Sequence, residues 1–211
     1  MSKKIRKNSS KPVVPETARA DALGGAKPVC NADRSPSLAA TEKSKSRSTK
    51  SLPESQGADL AEGSRAPSFN LSRDDGTRVS LADFAGRKLV FFFYPRAGTP
   101  GCTREAMDFT RLAKEFAACG TTVLGVSADS VKTQDSFRTK HNLSIPLISD
   151  EKHEMLEAYG AWGEKSMYGR TFLGILRTTM LVNADGRIVR IWRRVKVDGH
   201  AEDVLAAARD L

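Results

Sequence analysis

Tyr94 to Phe109, YPRAGTPGCTREAMDF, is the stretch on which the fold turns. It begins where a dense apolar run, Leu89-Val90-Phe91-Phe92-Phe93-Tyr94, comes to an end. Aromatic and branched residues without a polar break, in a run too short for a helix, predict a buried strand. Pro95 ends it, because proline has no N–H to give to a sheet ladder. Ala97-Gly98-Thr99-Pro100-Gly101 predicts a tight turn. Beyond it, Phe109, Leu112, Phe116 and Cys119 recur at helical steps of three and four. That spacing predicts one helix from Cys102 that closes at Gly120. Cys102 therefore opens a helix that follows a core strand.

Chemistry follows from that position. The start of a helix presents unpaired N–H groups and the positive end of the macrodipole, both of which favour an anion. A thiolate is such an anion, and it is the form of cysteine that attacks. Most cysteines are buried as small hydrophobes, but a turn rich in Gly and Pro in front of Cys102 argues for a reactive one. Thr99, three residues earlier, is placed to hydrogen-bond the sulfur or a substrate oxygen. Pro95 and Pro100 have no N–H and would wall a pocket with apolar surface. Glu105, three residues after Cys102, falls beside it on the first turn, where a carboxylate complements the dipole.

The rest of the chain alternates strand and helix. Phe69–Leu71 and Thr77–Val79 flank a turn and predict a hairpin, followed by a helical turn at Leu81–Phe84 that ends near Gly86. Thr122–Val126 is a second buried strand. Asp129 or Ser130 caps a helix running to about His141, anchored by Phe137. Leu147–Ser149 is a short strand, and Asp150 caps a helix from Lys152 to Tyr159. Gly160 to Gly174 reads as loop. Thr178–Val182 and Arg187–Trp192 form a hairpin across Asn183-Ala184-Asp185-Gly186, and Ala201–Ala208 is a last amphipathic helix. The sum is an α/β fold around a sheet of mixed direction.

Pro95-x-x-x-Thr99-x-x-Cys102 resembles the peroxiredoxin active-site pattern. Tyr94-Pro95, Thr99-Pro100-Gly101-Cys102-Thr103 and Glu105 are similar to the peroxiredoxin Q branch, also called bacterioferritin comigratory protein. Downstream, Val123 to Ser130, Trp162-Gly163-Glu164-Lys165, Met167-Tyr168-Gly169 and Arg177-Thr178-Thr179 agree in order. The resemblance runs from about Ala61 to the C-terminus and implies a thioredoxin-like fold. It implies a thiol-dependent peroxidase acting on hydrogen peroxide and organic hydroperoxides. Attack on a peroxide needs a thiolate, a donor for the peroxide oxygens and charge to stabilise the leaving group. The resemblance assigns the first to Cys102, the second to Thr99 and the third to Arg177, with Pro95 beside them and Glu105 orienting the arginine. Without it, Arg177 reads as an ordinary residue at the entry to a strand.

One departure concerns turnover. Many members of the branch carry a resolving cysteine five residues after the first, and here that position is Met107. Only Cys30 and Cys119 remain. On a continuous helix Cys119 would lie about 25 Å from Cys102, far beyond disulfide reach, and it shares the apolar face. Cys30 could approach only on a flexible tether. An outside thiol such as thioredoxin, glutaredoxin or glutathione is therefore the expected reductant.

Charge is unevenly spread. The chain of 211 residues has net charge +9, and residues 1–60 hold 12 Lys/Arg against 6 Asp/Glu with no aromatic residue. Such a segment cannot bury enough apolar surface to offset its ordering entropy. Residues 1–60 are therefore expected to be a disordered basic tail, and 61–211 the folded domain. The tail's basic clusters leave open a second function, as a peroxide sensor or nucleic-acid-docking protein. Histidines 141, 153 and 200 are scattered and no C-x-x-C occurs, so no metal is implied, and no glycine-rich loop implies a nucleotide cofactor. No secretory signal or membrane span is evident. A free thiol and no signal point to the cytoplasm, with the nucleus as the alternative, and the resemblance implies a monomer or weak dimer.

Overall fold

The computed structural model describes residues 60–167 and 169–211. The expected disordered tail, and Cys30 with it, lies outside the described residues apart from Leu60. In chain order the strands are β1 (Asn70–Arg73), β2 (Arg78–Ser80), β3 (Lys88–Phe93), β4 (Thr121–Ser127), β5 (Leu147–Ser149), β6 (Trp162–Met167), β7 (Arg170–Ile175), β8 (Thr178–Val182) and β9 (Ile188–Arg193). The helices are α1 (Pro100–Arg111), α2 (Ala113–Ala118), α3 (Val131–His141), α4 (Glu154–Ala158) and α5 (His200–Arg209), with a 3-10 turn at Leu81–Phe84.

Seven strands form one sheet in the order β2-β1-β5-β4-β3-β8-β9, and among the described residues β6 pairs only with β7. β3, β4 and β5 run parallel, while β8 is antiparallel to β3, and β9 to β8. Parallel neighbours joined by helices are covered on both faces, so such strands read as continuous apolar runs. β3 obeys this. Val90, Phe92 and Tyr94 pack with Cys102, Phe109 and Phe116 of the helices and with Val204 of α5. The alternate residues Leu89, Phe91 and Phe93 enter a second cluster with Met155, Leu156 and Tyr159. The period of two along a strand separates the clusters, and every residue from Val90 to Tyr94 is fully buried.

Three local expectations are corrected. The helix expected from Cys102 to Gly120 is two helices, because Leu112 leaves helical geometry at φ −91° and ψ 2°. The apolar spacing carries through the break, since Leu112 and Phe116 are both still buried. The segment 160–174, expected as loop, is the β6–β7 hairpin, paired from Trp162↔Ile175 to Met167↔Arg170. The helix expected at Lys152–Tyr159 is the shorter α4. Its N-cap is His153, with a left-handed φ of 64°, and Asp150 instead accepts the Leu156 N–H at 2.8 Å.

The topology gathers one end of the sheet. β3 ends at Phe93, which pairs with Thr178, the first residue of the antiparallel β8. Arg177 thus meets the loop after β3 although it lies 75 residues from Cys102 in sequence. The end of β4 reaches the same place, at the carboxyl edge where parallel sheets bind ligands.

Candidate active site

Cys102 is the third residue of α1 and is buried, with 1% of its surface exposed. Thr99 is the N-cap residue, but its side chain makes no capping bond; its hydroxyl donates to the Arg96 carbonyl at 3.1 Å. The first intrahelical bond runs from the Thr103 N–H to the Thr99 carbonyl. The Gly101 and Cys102 N–H groups of the first turn are therefore left uncapped by Thr99 and face the end where an anion is favoured. Gly98, at φ +75°, supplies the left-handed step that turns the loop into the helix. Pro95 is half-buried at the end of β3.

Arg177 bridges two groups of α1. Its Nη2 stands 3.2 Å from the Cys102 sulfur, and its Nη1 donates to Glu105 Oε2. Burial opposes the guanidinium charge, but Glu105 and the Cys102 sulfur more than offset this and hold Arg177 above its usual value. Glu105 is 1% exposed, not a solvated first-turn carboxylate, and its Oε1 has no hydrogen-bond partner among the described residues. Burial pushes its carboxyl up to about 7, against the pull of Arg177. Lys165 of β6 feels Arg177 and Cys102 too; burial first, then Arg177, lowers it.

Neighbouring charged and sulfur-bearing side chains sit apart. Arg96 is exposed, and Arg104 pairs at the surface with Asp198 at 2.6 Å. Met107 is half exposed on α1. The Cys119 thiol, at the end of α2, donates to the Phe116 carbonyl at 3.1 Å and lies 3.4 Å from Thr121 Oγ1. Its burial is only partial, packed at the margin of the core. Among the described residues no three His, Cys, Asp or Glu side chains gather where a metal ion could be held.

A network behind the loop was not foreseen. Asp129, expected only as a possible helix cap, gives that role to Ser130. Its carboxylate instead accepts the Ala97 N–H at 2.7 Å and the Ser127 hydroxyl at 2.8 Å. Gln134 of α3 is fully buried and joins Ser127 to the Tyr94 hydroxyl. The signal available in sequence was a polar residue one turn ahead of the apolar anchor Phe137.

A buried thiol at a helix start, with a guanidinium on its sulfur, is an arrangement that favours a reactive thiolate. Comparison with known proteins gives the family. Residues 63–191 match the AhpC/TSA family. A putative peroxiredoxin of Mycobacterium tuberculosis is 45% identical over 152 residues, covering 72% of this chain and 95% of that protein. Peroxiredoxin Bcp of Xanthomonas campestris is 47% identical over 139 residues, 66% of this chain and 87% of that one. The solved peroxiredoxin Q of X. campestris superposes with a TM-score of 0.65 at 46% identity, covering 67% of this chain and 90% of that one. For a cysteine-to-serine mutant of Xylella fastidiosa PrxQ the TM-score is 0.69 at 38% identity, over 73% and 98%. The chain belongs to the peroxiredoxins, in their Q or bacterioferritin comigratory branch, and its fold is thioredoxin-like.

Proposed function

We propose that this peroxiredoxin reduces peroxides through Cys102, with Arg177 stabilising the reaction and an outside thiol closing the cycle. Thiol-dependent peroxide reduction is the activity of the family, and the X. campestris relative has been studied for alkyl peroxide reduction. The observation that carries the assignment is the 3.2 Å contact between Arg177 Nη2 and the Cys102 sulfur. A fixed guanidinium stays charged and keeps a second donor on Glu105, so the first is held in place.

The thiolate attacks the terminal oxygen of R–O–O–H. A sulfur–oxygen bond forms and the O–O bond breaks. The departing RO− takes a proton and leaves as alcohol or water, while the sulfur becomes a sulfenic acid. Negative charge grows on the leaving oxygen, where Arg177 and the uncapped first-turn N–H groups stabilise it. Thr99 and Pro95 shape the approach, and Glu105 holds Arg177.

A second thiol then attacks the sulfenic sulfur and displaces water, giving a mixed disulfide that another thiol reduces. Met107 occupies the position five residues on. α1 carries the chain about 14 Å past Cys102 before it breaks, and the Cys119 thiol is engaged with Phe116 and Thr121. These placements favour thioredoxin, glutaredoxin or glutathione as the reductant. One chain supplies every group named at the site for the attack on peroxide, which is compatible with a monomer or weak dimer. No helix of the described residues is long and apolar enough to cross a membrane, and a reducing compartment such as the cytoplasm would supply the thiol. The nucleic-acid reading rests on the tail alone, and the site favours catalysis.

Cys102→Ser is expected to abolish peroxide consumption. Substantial activity in that variant would overturn the assignment.

A further inference from the structure

We infer that Asp129 is a positioning residue for peroxide attack, holding the loop Pro95–Thr99 in the shape that presents Cys102. The inference rests on the peroxidase reading above and extends it to a residue that touches neither sulfur nor substrate.

The loop runs from the end of β3 to the first turn of α1, and its central amide lies outside any sheet ladder. That amide, Ala97 N–H, donates to Asp129 Oδ2 at 2.7 Å. A carboxylate acceptor makes the bond charge-assisted and stronger than a neutral one. The same oxygen accepts the Ser127 hydroxyl at 2.8 Å. Ser127 Oγ in turn accepts from Gln134 Nε2 at 2.8 Å and from the Asp129 N–H at 3.2 Å. Gln134 Nε2 also donates to the Ile148 carbonyl at 3.1 Å, and its Oε1 accepts the Tyr94 hydroxyl. Tyr94, Ser127 and Gln134 are fully buried. The network thus grips the loop twice, at its first flank through Tyr94 and at its middle through Ala97.

What anchors the grip is rigid. Asp129 sits between the end of β4 and Ser130, which caps α3, and its own carbonyl accepts the Ser149 hydroxyl of β5 at 2.7 Å. What the grip controls is close. From Ala97 the chain passes through Gly98 to Thr99, whose hydroxyl folds back on Arg96 and whose carbonyl takes the first helical bond of α1 at 2.8 Å. A shift of Ala97 is therefore transmitted to the first-turn amides and to the sulfur that must meet the peroxide. Displacements of about 1 Å in a reacting geometry can cost on the order of a hundredfold in rate.

The test uses the full chain in three forms: wild type, Asp129→Ala and Asp129→Asn. Three quantities are measured: the second-order rate of Cys102 oxidation by hydrogen peroxide, the pH profile of Cys102 alkylation by iodoacetamide, and the melting temperature. D129A is expected to slow oxidation by roughly ten- to a hundredfold and alkylation far less, because iodoacetamide does not need the loop geometry that aligns a peroxide with the sulfur. D129N retains an oxygen that can accept the Ala97 N–H and is expected to recover most of the rate. The inference is overturned if D129A oxidises at the wild-type rate, if oxidation and alkylation fall together, or if folded D129N is as slow as D129A. Should D129A not melt cooperatively, Asp129→Ser, too short to reach Ala97, replaces it under the same criteria. A wild-type chain that consumes no peroxide would instead sink the peroxidase reading itself.

Discussion

At the scale of single residues, the site stacks three charged or chargeable groups in a buried place, and the pH dependence of stability follows. Glu105 is raised by burial from 4.5 to about 7. The native carboxyl therefore keeps its proton to higher pH than the unfolded one. Its contribution to stability is full below 4.5 and is lost as pH rises through about 7. His200 works the other way. It is 5% exposed, its Nε2 lies 2.8 Å from Thr179 Oγ1, and burial pushes it down from 6.5 to about 4. Its contribution is present above 6.5 and lost as pH falls towards 4. Between 4.5 and 6.5 the two slopes oppose each other. Glu105→Gln removes the first and keeps the second, so its melting temperature should fall more steeply than that of the wild type as pH is lowered from 7 to 4.5. The stability gap behind it should open by up to about 3 kcal/mol over that window. Parallel melting curves would mean that Glu105 does not titrate there. Arg177 could not be singled out by composition or spacing, being one arginine among many; the resemblance alone marked it, and β8 running against β3 shows why it meets Cys102.

Elements whose residues answer to one rule were legible, and those answering to two were not. β3 was plain because five of its buried residues are large and apolar, and α3 because Ser130 caps it and Phe137 anchors it. The β6–β7 hairpin was hidden. Trp162-Gly163-Glu164-Lys165 shows no alternation, and the hairpin pairs with no strand of the main sheet, so no buried face wrote a period into it. The break at Leu112 was hidden for the opposite reason, because one apolar stripe serves both helices. β4 shows how tight the central packing is. A Cβ added at Gly125 would stand 2.6 Å from Phe92 Cζ and 2.8 Å from Leu147 Cδ2, and Phe92 itself stacks on Phe109 with centroids 4.7 Å apart. Gly125→Ala should therefore destabilise the domain by about 1–3 kcal/mol, the usual cost of overpacking a full core. A denaturant midpoint equal to that of the wild type would show that Phe92 can yield.

Over the whole molecule, catalysis and the basic N-terminal segment divide the chain. The family match spans 63–191, and every group named at the site lies between Pro95 and Arg177. The segment before it holds one chemical feature that bears on turnover, Cys30. A thiol tethered to the domain could reach an effective concentration of around millimolar, enough to compete with a free reductant. Cys102 is 1% exposed and sits under Arg177, so any resolving thiol, tethered or free, must displace the guanidinium or wait for the first turn of α1 to open. A chain shortened to residues 51–211 separates the cases. Treated with one equivalent of peroxide and no added thiol, both forms should gain one oxygen at Cys102, and both should oxidise at the same second-order rate. If the full chain instead loses two hydrogens while the shortened one gains oxygen, Cys30 resolves the sulfenic acid and the outside-thiol cycle is wrong. If only the rate changes, the segment acts on the approach of peroxide and not on resolution, because resolution follows the bond-breaking step that the rate measures.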